Sequence, residues 1–261
     1  MPMVDLPDAS VFTAALADRR FIVAAVIAAV SGAARGFAGF GSALIHVPLI
    51  SAIYEPRVAA VTILLIDFSS GAPFAVPAWP RCHLRDVLPL SAAAALAVPL
   101  GTMILLVADP VWLRWFISAF VLSAIPVLAG GWRYHGRPRL PVTLAVGAVA
   151  GVTGGAVQIA GPPVILYWLG GAIETAVARA NMIVFFALNG AVLCVSYFIE
   201  GLFTAHVIAL ALLLGIPYTI AMIVGARSFH GSSDGLYRRI AYAIMAFAAL
   251  ASLPIFDRFF N

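Results

Sequence analysis

The stretch SGAARGFAGFGSALIHVP, Ser31–Pro48, constrains the fold more than any other part of the chain. It sits inside an apolar run from Phe21 to Ile53 that is too long for one membrane-spanning helix, and it carries glycines at 32, 36, 39 and 41. Glycine lets a helix unwind or lets another backbone approach closely, and Pro48 removes one more hydrogen-bond donor. The pattern predicts a helix from Phe21 to about Gly39, a break, and a short arm from Ser42 to Ile53. About 20 residues are needed to cross the hydrocarbon, so the arm reads as a half-helix or re-entrant segment.

The design occurs twice. From Gly147 the chain reads GAVAGVTGGAVQIAGPPVILYWL. A shift of about 115 residues pairs Gly36 with Gly151, Gly39 with Gly154 and Pro48 with Pro163, and after a short slip Glu55 pairs with Glu174 and Gly71 with Gly190. Broken apolar segments at corresponding places in two halves point to the binding site of a transporter.

Whether these segments lie in water or lipid is decided by composition. The chain is 63% hydrophobic and 10% charged, with mean hydropathy +1.06. Soluble domains carry about 25% charged residues, so this is an integral membrane protein. A net charge of +4 is too small to argue for nucleic acid. Cys82 falls in a polar loop and Cys194 in an apolar helix, which predicts two free thiols. Asp18, Arg19 and Arg20 before FIVAAVIAAVSGAA imitate a signal sequence. The segment matches the start of the second motif, so it is kept as the first membrane helix.

The resulting organisation is an all-α polytopic membrane protein: a lead-in over 1–20, a repeat over 21–131, a basic connector over 132–141, a second repeat over 142–253 and a tail over 254–261. Each repeat holds about five apolar segments, with the broken or re-entrant helix at its start. An odd number makes the repeats inverted relative to one another. With both short arms counted as crossings, Arg81, Arg85, Arg133, Arg137, Arg139, Arg179, Arg227, Arg238 and Arg239 share one side, while Arg19, Arg20, Arg57, Arg114 and Arg258 share the other. This nine-to-five excess predicts a cytoplasmic connector and both termini outside, whereas counting each broken segment as a single crossing gives eight against six and no orientation.

Unwound backbone in hydrocarbon needs a polar cavity or protein partners, and a half-helix N-terminus favours an anion. The breaks therefore predict an anion site near mid-depth. Gly39, Phe40, Gly41 and Ser42 flank the first, and Gly154, Gly155, Gln158 and Gly161 the second. Gly32, Gly36, Gly147 and Gly151, four residues apart, serve either the breaks or close helix packing. Arg35 offers a fork of donors for sulfonate or carboxylate oxygens or pairs with Asp67, and the two roles are compatible. Asp67 and His46 are candidates for proton coupling, although His46 equally suits a core histidine bonded to a freed carbonyl. Gln158, Asn181 and Asn189 are neutral donors able to grip anion oxygens or to tie helices together. Trp79, Trp112, Trp115, Trp132 and Trp168 lie at segment ends or in loops, and most read as interfacial anchors.

GFAGFGSALIHVP and GAVAGVTGGAVQIAGPPV, taken with the duplication and the size, resemble the sulfite exporter TauE/SafE family of anion permeases. The resemblance runs from about Phe21 to Leu253, and GGAVQIAGPP is its most specific part. It implies a secondary transporter of the bacterial inner membrane, an exporter of a small sulfur-containing anion such as sulfite, sulfoacetate or another organosulfonate. The family's motif residues fall on Gly36, Gly39, Gly41 and Pro48, and on Gly151, Gly154, Gly155, Gly161, Pro162 and Pro163. Phe40 and Val47 depart from a double glycine and a double proline. The expected partners are the anion, the lipid bilayer and protons as coupling ion, with no cofactor and no metal.

A passive anion channel is the alternative within transport. An intramembrane enzyme would need a nucleophile beside a base, and only Ser42 and His46 could meet at helical spacing. No nucleotide-binding loop is visible in the sequence.

Overall fold

The computed structural model describes residues 6–38, 41–130, 139–170, 174–228 and 234–255, and among these there is no strand. Twelve α-helices follow one another: α1 (Ala9–Ala17), α2 (Arg20–Ala38), α3 (Ser42–Ile53), α4 (Pro56–Gly71), α5 (Ala75–Ala78), α6 (Leu84–Val107), α7 (Pro110–Ala129), α8 (Leu140–Val157), α9 (Gly161–Gly170), α10 (Thr175–Ile199), α11 (Ala205–Ser228) and α12 (Asp234–Ala251). Among the described residues, six stretches are long and apolar enough to cross a membrane: Pro56–Arg81, Leu84–Val107, Pro110–Ala129, Leu140–Val157, Ala176–Ile199 and Ala205–Arg227. Their outward faces are apolar, with Leu96, Val76 and Ile216 all well exposed, as a lipid-facing surface requires. Most of the connector, residues 131–138, lies outside the described residues.

Local chemistry sets the helix ends. Asp8 caps α1, accepting from the Val11 N–H at 3.0 Å, so the lead-in holds a defined helix rather than frayed chain. Asp109 caps α7 in the same way at Val111, 2.7 Å, with Pro110 as the first helical residue, where its missing N–H costs nothing. Pro56 opens α4 likewise. The C-terminal carbonyls of α6 are covered by Arg57, whose Nε donates to Leu105 O at 3.3 Å while the other end of the guanidinium reaches Leu106 O. Arg57→Met should lower stability by about 1.5–3 kcal/mol, the range for hydrogen bonds to a charged group, measured by denaturation of the purified protein.

Both predicted breaks are present. α2 gives way before Gly41, which has φ +93 and caps α3. α8 ends at Gln158, the only non-glycine residue with positive φ among those described, at +57. The first arm returns toward its starting face: Arg20, at the head of α2, donates to Ile53 O at the end of α3 (3.3 Å) and stacks over the Tyr54 ring at 4.7 Å. α2 and α3 therefore form a hairpin whose two ends meet.

The two halves interlock reciprocally. The most extensive packing joins α2 to α11 and α6 to α8, so the first helix of each half lies against the fourth helix of the other. A Cβ at Gly32 would collide with the Tyr218 carbonyl and one at Gly36 with that of Met222. Across the other pair, Gly147, Gly151 and Gly155 face the carbonyls of Leu90, Ala94 and Val98. Both series advance four residues on each helix together, so α2 runs parallel to α11 and α8 parallel to α6. Small residues in register are what let membrane helices approach this closely.

Trp168 corrects the anchor reading. It is only 1% exposed, within a cluster that includes Val164, Tyr167, Val184 and Phe185. Trp79, Trp112 and Trp115 are exposed, and Trp132 lies outside the described residues. Cys82 and Cys194 are both free thiols.

Candidate functional site

Four helices bring their polar groups to one point beside the first break. The Asp67 carboxylate on α4 accepts from Arg35 of α2 at 2.8 Å, from the Ser42 hydroxyl at the head of α3 at 2.9 Å, and from the Tyr218 hydroxyl of α11 at 2.5 Å. Arg35 also lies 3.5 Å from the Ser42 hydroxyl, and its outer nitrogen occupies the space a Cβ at Gly71 would need, 2.9 Å away. About a quarter of the Arg35 and Asp67 side chains remains accessible, 25% and 23%, whereas Tyr218 is buried.

The depth of this cluster follows from helix rise. At 1.5 Å per residue, Asp67, Tyr218 and Arg35 lie about 16 to 23 Å from the heads of α4, α11 and α2. The three values agree because these helices start at one face. The cluster thus lies well inside all three helices, away from their ends.

The second break is neutral. α8 and α9 contain no charged side chain. Gln158 closes α8, its N–H donating to Gly154 O at 2.9 Å, and its buried side-chain amide lies by the Tyr197 hydroxyl. Asn189 is 4% exposed, with its amide oxygen unpartnered and its amide nitrogen 3.4 Å from where a Gly154 Cβ would stand. Tyr197 donates to Gly155 O at 2.8 Å. The residues following Gly161 in α9 are Pro162 and Pro163, so its first turn lacks two N–H donors. The first turn of α3 has no proline, so Ser42 and Ala43 keep their N–H groups while that of Leu44 donates to Gly41 O at 3.1 Å.

The predicted residues separate on this geometry. Arg35, Ser42 and Asp67 meet directly, while Gly41 supplies the left-handed cap. Gly154, Gln158 and Asn189 gather at the second break, and Gly161 is open except for Ile165 at 3.6 Å. Gly155, expected at the site, is instead pressed against α6 with Gly36 and Gly151 in the same packing role. Gly39 and Phe40 lie outside the described residues. His46 is fully buried, and its partner is a hydroxyl rather than the freed carbonyl expected: Nε2 lies 3.1 Å from Thr62 Oγ1. Pro48 lies within α3, buried. Asn181 accepts from the His83 N–H at 2.8 Å, away from the break.

Left-handed backbone at a non-glycine residue costs about 1–3 kcal/mol. Gln158→Gly should therefore raise stability in a melting experiment, by up to about 1 kcal/mol after glycine's own entropy is counted, while removing the amide from the break.

A family model described as Sulfite exporter TauE/SafE matches residues 24–252. The chain belongs to the sulfite exporter TauE/SafE family. No curated protein and no solved structure matches it. The family match spans both breaks and every helix that builds the polar cluster, and it makes the chain a multi-pass membrane protein of an anion-transporter family. Tyr218 and Trp168 were not identified from sequence in these roles. Tyr218 directly follows Pro217, at a place where the first half has Leu100 after Pro99, and that departure from the repeat was its only signal.

Proposed function

We propose that this TauE/SafE protein is a secondary transporter that exports a small sulfur oxyanion or organosulfonate across the bacterial inner membrane. The carrying observation is the convergence of Arg35, Ser42 and Tyr218 on one carboxylate. Three donors beside a helix N-terminus suit an oxyanion, and Asp67 holds the place a substrate would take. The substrate competes with Asp67 for these donors. The ion pair is neutral as it stands, so an added anion leaves excess negative charge at membrane depth, which is costly. A proton on Asp67 removes that excess, and this couples the anion to a proton.

The halves are inverted and move around the breaks in alternating access. This reading is supported by the α2–α3 hairpin, by α2 running with α11, and by α8 running with α6, which starts at the face where the α4 span ends. The same arrangement groups Arg20 and Arg57 on one side, which favours the nine-to-five arginine split, a cytoplasmic connector and both termini outside.

Proteoliposomes holding the purified chain should take up labelled sulfite or sulfoacetate with saturation, faster when a proton gradient is imposed. Absence of flux for every such anion, in both directions and with or without the gradient, rejects the proposal. Large single-channel currents would select the channel instead. Asp67→Asn, which keeps the shape but cannot titrate, is expected to cut flux about tenfold or more and to flatten its dependence on pH.

A further inference from the structure

A second group of buried donors lies away from the Arg35 cluster. Trp168 on α9 is 1% exposed and Asn181 on α10 is fully buried, yet the indole nitrogen and the Asn181 amide nitrogen have no hydrogen-bond partner among the described residues. Neither is a matter of assignment. An indole N–H can only donate. The Asn181 amide is oriented by its oxygen, which accepts from the His83 N–H at 2.8 Å, so the other atom is the –NH2. Trp168 packs edge-on against Phe185, ring centroids 5.9 Å apart, and Phe185 lies one helical turn after Asn181. An unpaired buried donor is costly, and among the nine buried side-chain atoms without a partner in the described residues these two are linked through Phe185.

The repeat sharpens the contrast. The 119-residue offset that pairs Glu55 with Glu174 pairs Thr62 with Asn181. In the first half the Thr62 hydroxyl at that position meets His46 Nε2, although His46 Nδ1 is itself without a partner among the described residues. In the second half the donor is left open. Above it, at the turn between the α4 span and α6, Arg81, His83 and Arg85 are exposed, with Asp86 facing His83 at 3.6 Å. By helix rise Asn181 is about 9 Å from the head of α10 and Asn189 about 21 Å, so the two carboxamides mark successive depths between that face and the second break.

We propose that Trp168 and Asn181 form a second oxyanion-binding position, a waypoint for the substrate's sulfite or sulfonate oxygens between the Arg81–Arg85 face and the break. Two neutral donors with no cation beside them hold an anion weakly enough to release it, as a transit position must. This rests on the transport reading above but can be tested apart from it.

Trp168→Phe keeps a ring against Phe185 and deletes only the N–H. In proteoliposomes it is expected to raise the sulfite KM about tenfold, the loss of one hydrogen bond to a charged group, with the maximal rate nearly unchanged. Separately, sulfite but not chloride should shift the tryptophan emission of the purified wild-type chain saturably, and the shift should vanish in Trp168→Phe. Unchanged KM, or no sulfite-dependent shift in the wild type, overturns the proposal and leaves a trapped water as the occupant. If the wild type carries no flux yet shows the shift, the waypoint stands and the transport reading fails. Should Trp168→Phe not fold, the wild-type emission titration alone decides.

Discussion

Arg35→Ala is expected to reduce sulfite flux about a hundredfold while leaving a folded protein. The guanidinium is the one cation in the cluster, and a hydrogen bond to a charged group contributes about 1.5–3 kcal/mol, or up to about 150-fold in binding. Stability also falls, because Asp67 loses its counter-ion and retains only Ser42 and Tyr218. Removing one member of a buried pair costs about 3–5 kcal/mol, whereas removing both is often nearly neutral. With a quarter of each side chain accessible, the lower end applies. The double variant Arg35→Ala/Asp67→Ala should therefore recover melting temperature without recovering flux. Recovery of both would make the pair purely structural.

The second large effect concerns assembly. Gly36→Val should disrupt the packing of α2 on α11, because its Cβ would enter the Met222 carbonyl. Overpacking costs about 1–3 kcal/mol where side chains can yield. Here the obstacle is backbone, so a loss of about 3 kcal/mol or more is expected, seen as a lowered melting temperature and aggregation in size-exclusion chromatography. Gly151→Val should behave alike through the Ala94 carbonyl. Gly215→Ala is the control: its nearest atom is Ile66 Cγ1 at 3.9 Å, and the change should be within about 0.5 kcal/mol.

These outcomes separate what was legible in the sequence from what was not. Both breaks, the short arms and the Arg35–Asp67 pairing followed from glycine spacing, helix length and the scarcity of ionisable groups in apolar segments. Those signals are local or rest on strong rules about charge in lipid. The roles of individual glycines were not legible. Gly154 and Gly155 are neighbours, yet one faces Asn189 and the other is pressed on Val98, because successive helical residues point about 100° apart and the angle depends on the partner helix. Tyr218 joined the cluster only because α11 packs on α2 across the halves, a contact no local pattern encodes. Trp168 reads as an interfacial anchor from its place near a segment end, and packing of α9 on Val184 and Phe185 of α10 is what buries it.

The duplication explains how one chain builds an asymmetric site on a symmetric frame. Arg35 corresponds to Ala150, and the proline-free first turn of α3 corresponds to that of α9, where prolines remove two donors. The second half spends its corresponding positions on carboxamides. The charged groups gather at the first break and the neutral carboxamides at the second.

The most direct test is a calorimetric titration of the purified chain with sulfoacetate, fully ionised at neutral pH, at fixed pH in two buffers of different ionisation enthalpy. The displacement of Asp67 from its three donors predicts saturable binding with uptake of about one proton per anion, tighter as pH falls, and no proton uptake in Asp67→Asn. Saturable binding without proton uptake, or proton uptake that persists in Asp67→Asn, would contradict it.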